Sequence, residues 1–278
     1  MKKILVTGSK GQLGIDLVNI LSDEYYVIGL DKEKLDITNL DDVVNTVKTI
    51  KPDIIINSAA YTNVDGCEEN IDLSYKINAL GARNLAIASL ETNSRLVHIS
   101  TDFVFDGEKN NPYIEFDKPN PLSIYGKSKL SGEEFIKEIN PKHYILRTSW
   151  LYGKNGNNFV KTMLRLSKEN KILKVVNDQR GTPTHTKDLV DVINMIIKTD
   201  AYGTYHASNE GDCTWFEFTK KIFKLANITD IEVLPITTEE LNRPAKRPKY
   251  SVMNNYMLEL NFNYKLKHWD ESLKQYFN

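Results

Sequence analysis

The sequence predicts an α/β protein, a Rossmann-type doubly wound parallel sheet with a smaller C-terminal α/β substrate domain. Three observations predict it. Short apolar runs alternate with segments of helical apolar spacing through roughly the first 150 residues. The first apolar run closes in a glycine loop of the form G-x-x-G-x-x-G, Gly8-Ser-Lys-Gly11-Gln-Leu-Gly14. The second ends at an acidic residue, Asp31, where folds of this kind meet an adenine ribose.

Lys3 to Thr7 is a short apolar run stopped by glycine, as expected of a strand buried on both faces. Residues 11–21 follow with helical spacing at Leu13, Leu17, Val18 and Leu21. Residues 26–30 form the second strand, and 41–50 a helix capped by Asn39 or Asp41. Residues 53–57 are the third strand, 73–92 one long helix, and 95–100 the fourth strand. A helix over 123–139 and a strand over 143–148 complete the regular part. Beyond it, helices are expected at 158–168, 186–198 and 214–226, and strands at 172–176 and 203–207. The division expected is a dinucleotide-binding domain over 1–150, to which about 177–205 return, and a discontinuous substrate domain within 151–278.

Bulk properties narrow the function classes. A net charge of −1 supplies no field for nucleic acid or an anionic membrane surface. Cys67 and Cys213 match no metal or redox spacing and read as reduced thiols of a cytoplasmic protein. The apolar run at the start is too short for a secretory leader, and no stretch reaches the length of a membrane helix.

Two constellations carry chemistry. The glycines permit a tight turn and let the backbone approach a pyrophosphate at the helix N-terminus. The competing reading is a glycine-rich turn without ligand, and strand, loop, helix, second strand and Asp31 in that order favour a dinucleotide. Asp31 would accept from a ribose diol and repel a 2′-phosphate, which favours NADH; Lys10 in the loop could meet that phosphate and allow NADPH. The second constellation is Tyr125 and Lys129, one helical turn apart. An ammonium near a phenol favours the phenolate and lowers its pKa, so the pair is suited to acid–base work on an oxygen. A solvated surface pair is the bland alternative.

The glycine loop, Asn57-Ser-Ala-Ala-Tyr61, Ser100-Thr-Asp102 and the Tyr125/Lys129 pair together resemble the extended short-chain dehydrogenase/reductase superfamily. The longer segments around them, with Arg147-Thr-Ser-Trp-Leu-Tyr152, Gly156-Asn-Asn-Phe159 and Asn177-Asp-Gln-Arg-Gly-Thr-Pro-Thr184, are similar to its dTDP-4-dehydrorhamnose reductase family over nearly the whole chain. The resemblance implies an NAD(P)H-dependent reductase of a dTDP-4-keto-6-deoxyhexose. It implies cofactor contacts at Gly8, Gly11, Gln12, Leu13, Gly14, Asp31, Asp36, Ile37, Ala59, Ala60 and Tyr61, a Thr101/Tyr125/Lys129 triad, and sugar contacts at Asp102 and Trp150. It places Asn158, Gln179 and Thr182 beside the sugar and makes Arg247, within the basic run 243–249, the anchor of the diphosphate. Some family members bind Mg2+ at a dimer interface through glutamates; the matching position here is Asp16, so no metal is assigned, and monomer and homodimer both stay open. Bland readings stand beside these roles: Thr101 ends a strand, Trp150 packs, Asn78 bonds a neighbouring loop, and the basic run is a solvated loop.

Overall fold

The computed structural model describes residues 1–278. Five strands, β1 (Lys3–Thr7), β2 (Tyr26–Leu30), β3 (Ile54–Asn57), β4 (Arg95–Thr101) and β5 (His143–Thr148), and a sixth, Gly203–His206, form one sheet. Across it the order is Gly203–His206, β5, β4, β3, β1, β2, and every neighbouring pair is parallel. The strand order reverses at β1, which lies between β3 and β2, and this opens a crevice at the carboxyl ends of the strands.

Helices α1 (Gln12–Leu21), α2 (Leu40–Ile50), α3 (Val64–Glu69), α4 (Ile71–Tyr75), α5 (Gly81–Glu91) and α6 (Ile124–Ile139) occur in the connections. Alternate residues of each strand serve opposite faces. Ile4, Val6, Ile54, Ile56 and Val97 pack with Leu13 and Leu17 of α1 and with Leu189 and Ile193 of the Thr186–Ile196 helix. Leu5, Ile55, Leu96 and Ile145 pack with Val43 and Val47 of α2, Leu85 of α5 and Ile136 of α6. Burying both faces explains why these strands read as continuous apolar runs rather than alternating ones. Truncating a residue such as Leu5, wholly buried, costs about 2–5 kcal/mol.

Asn39 caps α2, accepting from Asp42 N at 3.2 Å. The helix expected over 73–92 runs without a break from Ile71 to Glu91 as α4, a π-helical turn at Lys76–Leu80, and α5. The wide turn presents Asn78, whose amide bonds the Tyr61 backbone in both directions (2.8 and 3.1 Å) and Ser128 Oγ of α6 at 3.0 Å. Spacing does not reveal such an insertion, because the apolar period on each side stays intact and only its phase shifts.

The later part of the chain has its own apolar cluster, with Val160, Met163, Leu173, Phe218, Ile222, Trp269 and Leu273. Ile172–Val176 pairs in parallel with Glu232–Ile236. That partner strand and the helices Tyr256–Phe262 and Trp269–Phe277 carry no strong sequence signal; their apolar stripes are short. No helix is long and apolar enough to cross a membrane.

Candidate active site

Of the residues expected to hold a dinucleotide, Gly8, Gly11, Asp31, Asp36, Ile37, Ala59 and Ala60 line part of one cleft of about 440 Å³. Gly8 has φ +66°, and a Cβ on it would lie 2.8 Å from Ala59 N. A Cβ on Gly14 would lie 2.1 Å from Gly8 O, so α1 packs on the loop only through glycine. The N-cap of α1, Gly11, offers no side-chain cap, and the first turn holds no acidic residue. Its first N–H groups are therefore available to an anion, which fits a pyrophosphate. The Leu13 side chain belongs to the core, so at this position the loop presents only its backbone. Gln12 turns away from the loop and donates through Nε2 to Leu151 O at 3.1 Å.

Asp31 forms an ion pair with Lys10, which also reaches Glu33 at 3.2 Å. The lysine holds the Asp31 carboxyl below its ordinary pKa. Asp36 accepts from Thr38 N and Oγ1 at 3.0 and 2.8 Å and so shapes its own turn. Lys10, Lys32 and Lys76 put three cations on the cleft wall beside the acids Asp31 and Asp36.

At the other end of the crevice, Thr101 closes β4, and its Oγ1 accepts from Phe103 N at 3.2 Å and donates to Asp102 Oδ1 at 3.1 Å. Tyr125 stands in the first turn of α6, which begins on two caps: Ser123 Oγ accepts from Gly126 N at 3.2 Å, and Glu68 Oε1 of α3 accepts from Ile124 N at 2.8 Å. A Cβ on Gly126 would lie 2.2 Å from Phe103 O, so glycine there lets the helix close on the turn after β4. The Tyr125 ring meets Phe103 edge-on, with centroids 5.5 Å apart. Lys129, buried one turn on, donates to Ile99 O at 2.5 Å and lies 3.2 Å from His98 Nε2.

The expected lowering of the tyrosine pKa by the lysine is not what this arrangement produces. Desolvation raises the Tyr125 phenol above its ordinary value, with Thr101 opposing. Burial brings Lys129 down to about 8, against the pull of Glu133. Both shifts favour the neutral forms, because burial penalises phenolate and ammonium alike; the Lys129 nitrogen meanwhile bonds Ile99 O and lies beside His98. Burial also raises Asp102 to about 6, hydrogen bonding to Ser251 and Thr101 opposing, and its Oδ2 has no partner in good hydrogen-bonding geometry.

The other residues expected beside a sugar, all from Trp150 onward, have their side chains already engaged. Trp150 adopts φ +44°, rare for a bulky residue, and its indole stacks on Trp215 with centroids 3.4 Å apart. A Cβ on Gly181 would lie 2.6 Å from the Trp150 ring. Gln179 Nε2 donates to Thr238 Oγ1 at 3.0 Å, and Thr182 Oγ1 to Gly211 O at 2.8 Å. Asn158 caps the Phe159–Glu169 helix, accepting from Lys161 N at 3.1 Å. Arg247 pairs with Asp65 at 2.9 Å and donates to Ala245 O at 2.9 Å. Asp16 accepts from Asn155 Nδ2 at 2.7 Å.

Sequence reasoning missed the supports of this site. Ser100 Oγ donates to Glu133 at 2.6 Å, and Arg147 makes two bonds to the same carboxylate, at 3.0 and 2.7 Å. These bonds tie α6 to β4 and β5. The available signal was Arg147, a cation inside the buried, mostly apolar β5; Glu133 is one of several charged residues in α6 and gave none.

Comparison with known proteins identifies the architecture. A family model described as the RmlD substrate binding domain matches residues 1–278. The spore coat polysaccharide biosynthesis protein SpsK of Bacillus subtilis is 42% identical, over 99% of this chain and 97% of that one. A dTDP-4-dehydrorhamnose reductase of Aggregatibacter actinomycetemcomitans is 42% identical, over 99% of this chain and 98% of its own. The crystal structure of the dTDP-4-dehydrorhamnose reductase of Bacillus anthracis in complex with NADP superposes with a TM-score of 0.98 at 52% identity, covering 100% of this chain and 99% of the other. Full-length agreement in sequence and fold places the protein in the dTDP-4-dehydrorhamnose reductase family of extended short-chain dehydrogenases/reductases.

Proposed function

We propose that the protein reduces the C4 ketone of dTDP-6-deoxy-L-lyxo-4-hexulose (dTDP-4-dehydrorhamnose) to dTDP-L-rhamnose with NADH or NADPH. The observation that carries this is the meeting of Thr101, Tyr125 and Lys129 at the carboxyl ends of the strands, beside the glycine cleft. When bound, the dinucleotide supplies the hydride. Gly8, Gly11, Gly14 and the first turn of α1 would hold its pyrophosphate, and Ala59, Ala60 and Tyr61 would line its nicotinamide side. Asp31 and Asp36, with Ile37, would hold the adenosine.

Tyr125 gives its proton to the ketone oxygen as charge develops there, which contributes about 10²–10⁴-fold. The Thr101 hydroxyl holds that oxygen at a fixed distance from the phenol. Lys129 in its protonated form stabilises the phenolate that remains, and it orients the nicotinamide ribose. Asp102 and Trp150 contact the sugar; Asn158, Gln179 and Thr182 border it; Arg247 exchanges Asp65 for the diphosphate. Residues 1–150, with about 177–205, form the dinucleotide-binding domain, the rest of 151–278 forms the substrate domain, and the sugar lies where the two meet.

NADH is the favoured cofactor, because Asp31 stays ionised and accepts from the ribose diol. NADPH is also accepted, its phosphate meeting Lys10, Lys32 and Lys76. We assign no metal, since the Asp16 carboxylate is bound to Asn155; activity surviving chelation of Mg2+ checks this. The active unit is a monomer or homodimer in the cytoplasm. The test is oxidation of NADH and NADPH against a panel of dTDP- and other NDP-4-ketosugars, with product stereochemistry determined. Turnover confined to other sugars corrects the substrate, and no turnover on any ketosugar sinks the assignment. An epimerase or dehydratase of the same fold would instead retain its cofactor without net oxidation.

A further inference from the structure

Thr7, Asn57 and His98 are register partners on three neighbouring strands: Thr7 lies opposite Asn57 in β1 and β3, and Asn57 opposite His98 in β3 and β4. Each stands two residues beyond Leu5, Ile55 or Leu96, so all three point to the face covered by α6. All three are buried. Nothing in the mechanism above uses His98.

The row has one proton arrangement that satisfies its bonds. The Ala59 N–H can only donate, and it donates to Asn57 Oδ1 at 3.2 Å; Thr7 Oγ1 donates to the same oxygen at 2.8 Å. This turns Asn57 Nδ2 toward His98 Nδ1, 3.0 Å away. An amide nitrogen is a donor only, so Nδ1 accepts and the ring proton sits on Nε2. Nε2 lies 3.2 Å from Lys129 Nζ. An ammonium there sets N–H against N–H, whereas an amine accepts from Nε2–H.

We propose that Asn57 and His98 are positioning residues that set the proton affinity of Lys129, the imidazole being locked as the Nε2–H tautomer that favours the neutral amine. The proposal rests on the reading of Tyr125 and Lys129 as the acid pair. Burial and Lys129 itself hold His98 well below its ordinary pKa, so it stays neutral and keeps one ring proton. The other groups around Lys129 and Tyr125 are Glu133 on α6, paired with Arg147 of β5, Asp102 after β4, and Cys67 of α3. Of these, none has a hydrogen bond to Nζ, whose partners are His98 and Ile99 O. In each reduction one proton leaves Tyr125 for the sugar oxygen, and one from solvent restores the enzyme. A lysine poised between amine and ammonium can return a proton to the Tyr125 phenolate and take one up from solvent near neutral pH, which closes the cycle.

The proposal is tested by 15N spectroscopy of the full chain labelled in histidine, with His98 assigned by the signal lost in His98→Gln. The expected result is a neutral ring carrying its proton on Nε2 from about pH 6 to 9. Asn57→Asp should move the proton to Nδ1, because the new carboxylate accepts from it. The Nε2 lone pair then faces Lys129 and favours the ammonium. The alkaline limb of kcat/KM for ketosugar reduction should rise by about one pH unit in Asn57→Asp. It should rise likewise in His98→Gln, whose amide oxygen can accept from the ammonium. A charged or Nδ1–H imidazole in the unsubstituted protein overturns the proposal. So does a loss of kcat in both variants with the limb unmoved, which is what a purely structural role gives. Absence of ketosugar reduction would remove the reductase reading and leave the tautomer result standing.

Discussion

The dinucleotide cleft and the sugar side of the site differ in what they are made of. At its glycine-loop end the cleft is formed by backbone and small residues, Gly8, Gly11, Ser58, Ala59 and Ala60; side chains such as Asp31, Leu35, Asp36 and Ile37 line the rest. The proposed sugar side is formed by side chains that hold one another: Arg247 with Asp65, Gln179 with Thr238, Asn158 with its own helix, Trp150 with Trp215. A backbone cleft is ready for its ligand, whereas a side-chain site must exchange partners to admit one. Single side-chain changes should therefore alter sugar kinetics far more than cofactor affinity.

The largest effect belongs to the acid that serves both halves. Tyr125→Phe should lower kcat by about 10²–10⁴-fold while the cofactor Kd, read by fluorescence titration, stays within about twofold. A comparable loss of cofactor affinity would erase the contrast between the halves.

Asp102→Asn should show that the sugar side is held at the expense of stability. The Asp102 carboxyl has a folded pKa of about 6 against an ordinary 3.8. The stability linked to its neutral form is thus complete below about pH 4 and is lost as pH rises through about 6. Asparagine cannot ionise, so at pH 8 the variant should be more stable to urea by up to about 3 kcal/mol, and near pH 4 about equal. Reduced sugar turnover should accompany the gain. Equal stability at both pH values would mean that the unpartnered Oδ2 finds a donor in solution.

Arg247→Ala should raise the KM for the sugar nucleotide about tenfold or more, with the KM for NADH unchanged, because a charged hydrogen bond to phosphate contributes about 1.5–3 kcal/mol. An unchanged sugar KM would leave Arg247 as the partner of Asp65 alone. The smallest effect lies in the cleft. Lys10→Ala should cut the efficiency with NADPH a few-fold and leave NADH nearly untouched, as an exposed, solvent-screened contact allows.

The same contrast decides what was legible in the sequence. The sheet half could be read because burial on two faces makes strands such as Ile54–Asn57 continuously apolar, and because a turn onto a helix N-terminus demands Gly8 and Gly14. The Tyr125/Lys129 spacing was visible for the same local reason. The partners of the Lys129 nitrogen were not, since both lie on β4, His98 thirty-one residues away and Ile99 beside it. Nor was the pairing of Arg247 with Asp65, 182 residues apart. The Lys76–Leu80 turn was hidden because one inserted residue leaves the apolar period on each side intact. Local chemistry shows in local sequence; what a polar side chain touches across the fold does not.

The most direct test of the account is one reduction carried out with NADH bearing deuterium at the transferable C4 position. The account predicts one deuterium at C4 of the product sugar, an equivalent of NAD+ released, and loss of this turnover in Tyr125→Phe. Product without label, or cofactor recovered still reduced and labelled, would contradict net hydride transfer to the sugar and with it the central claim.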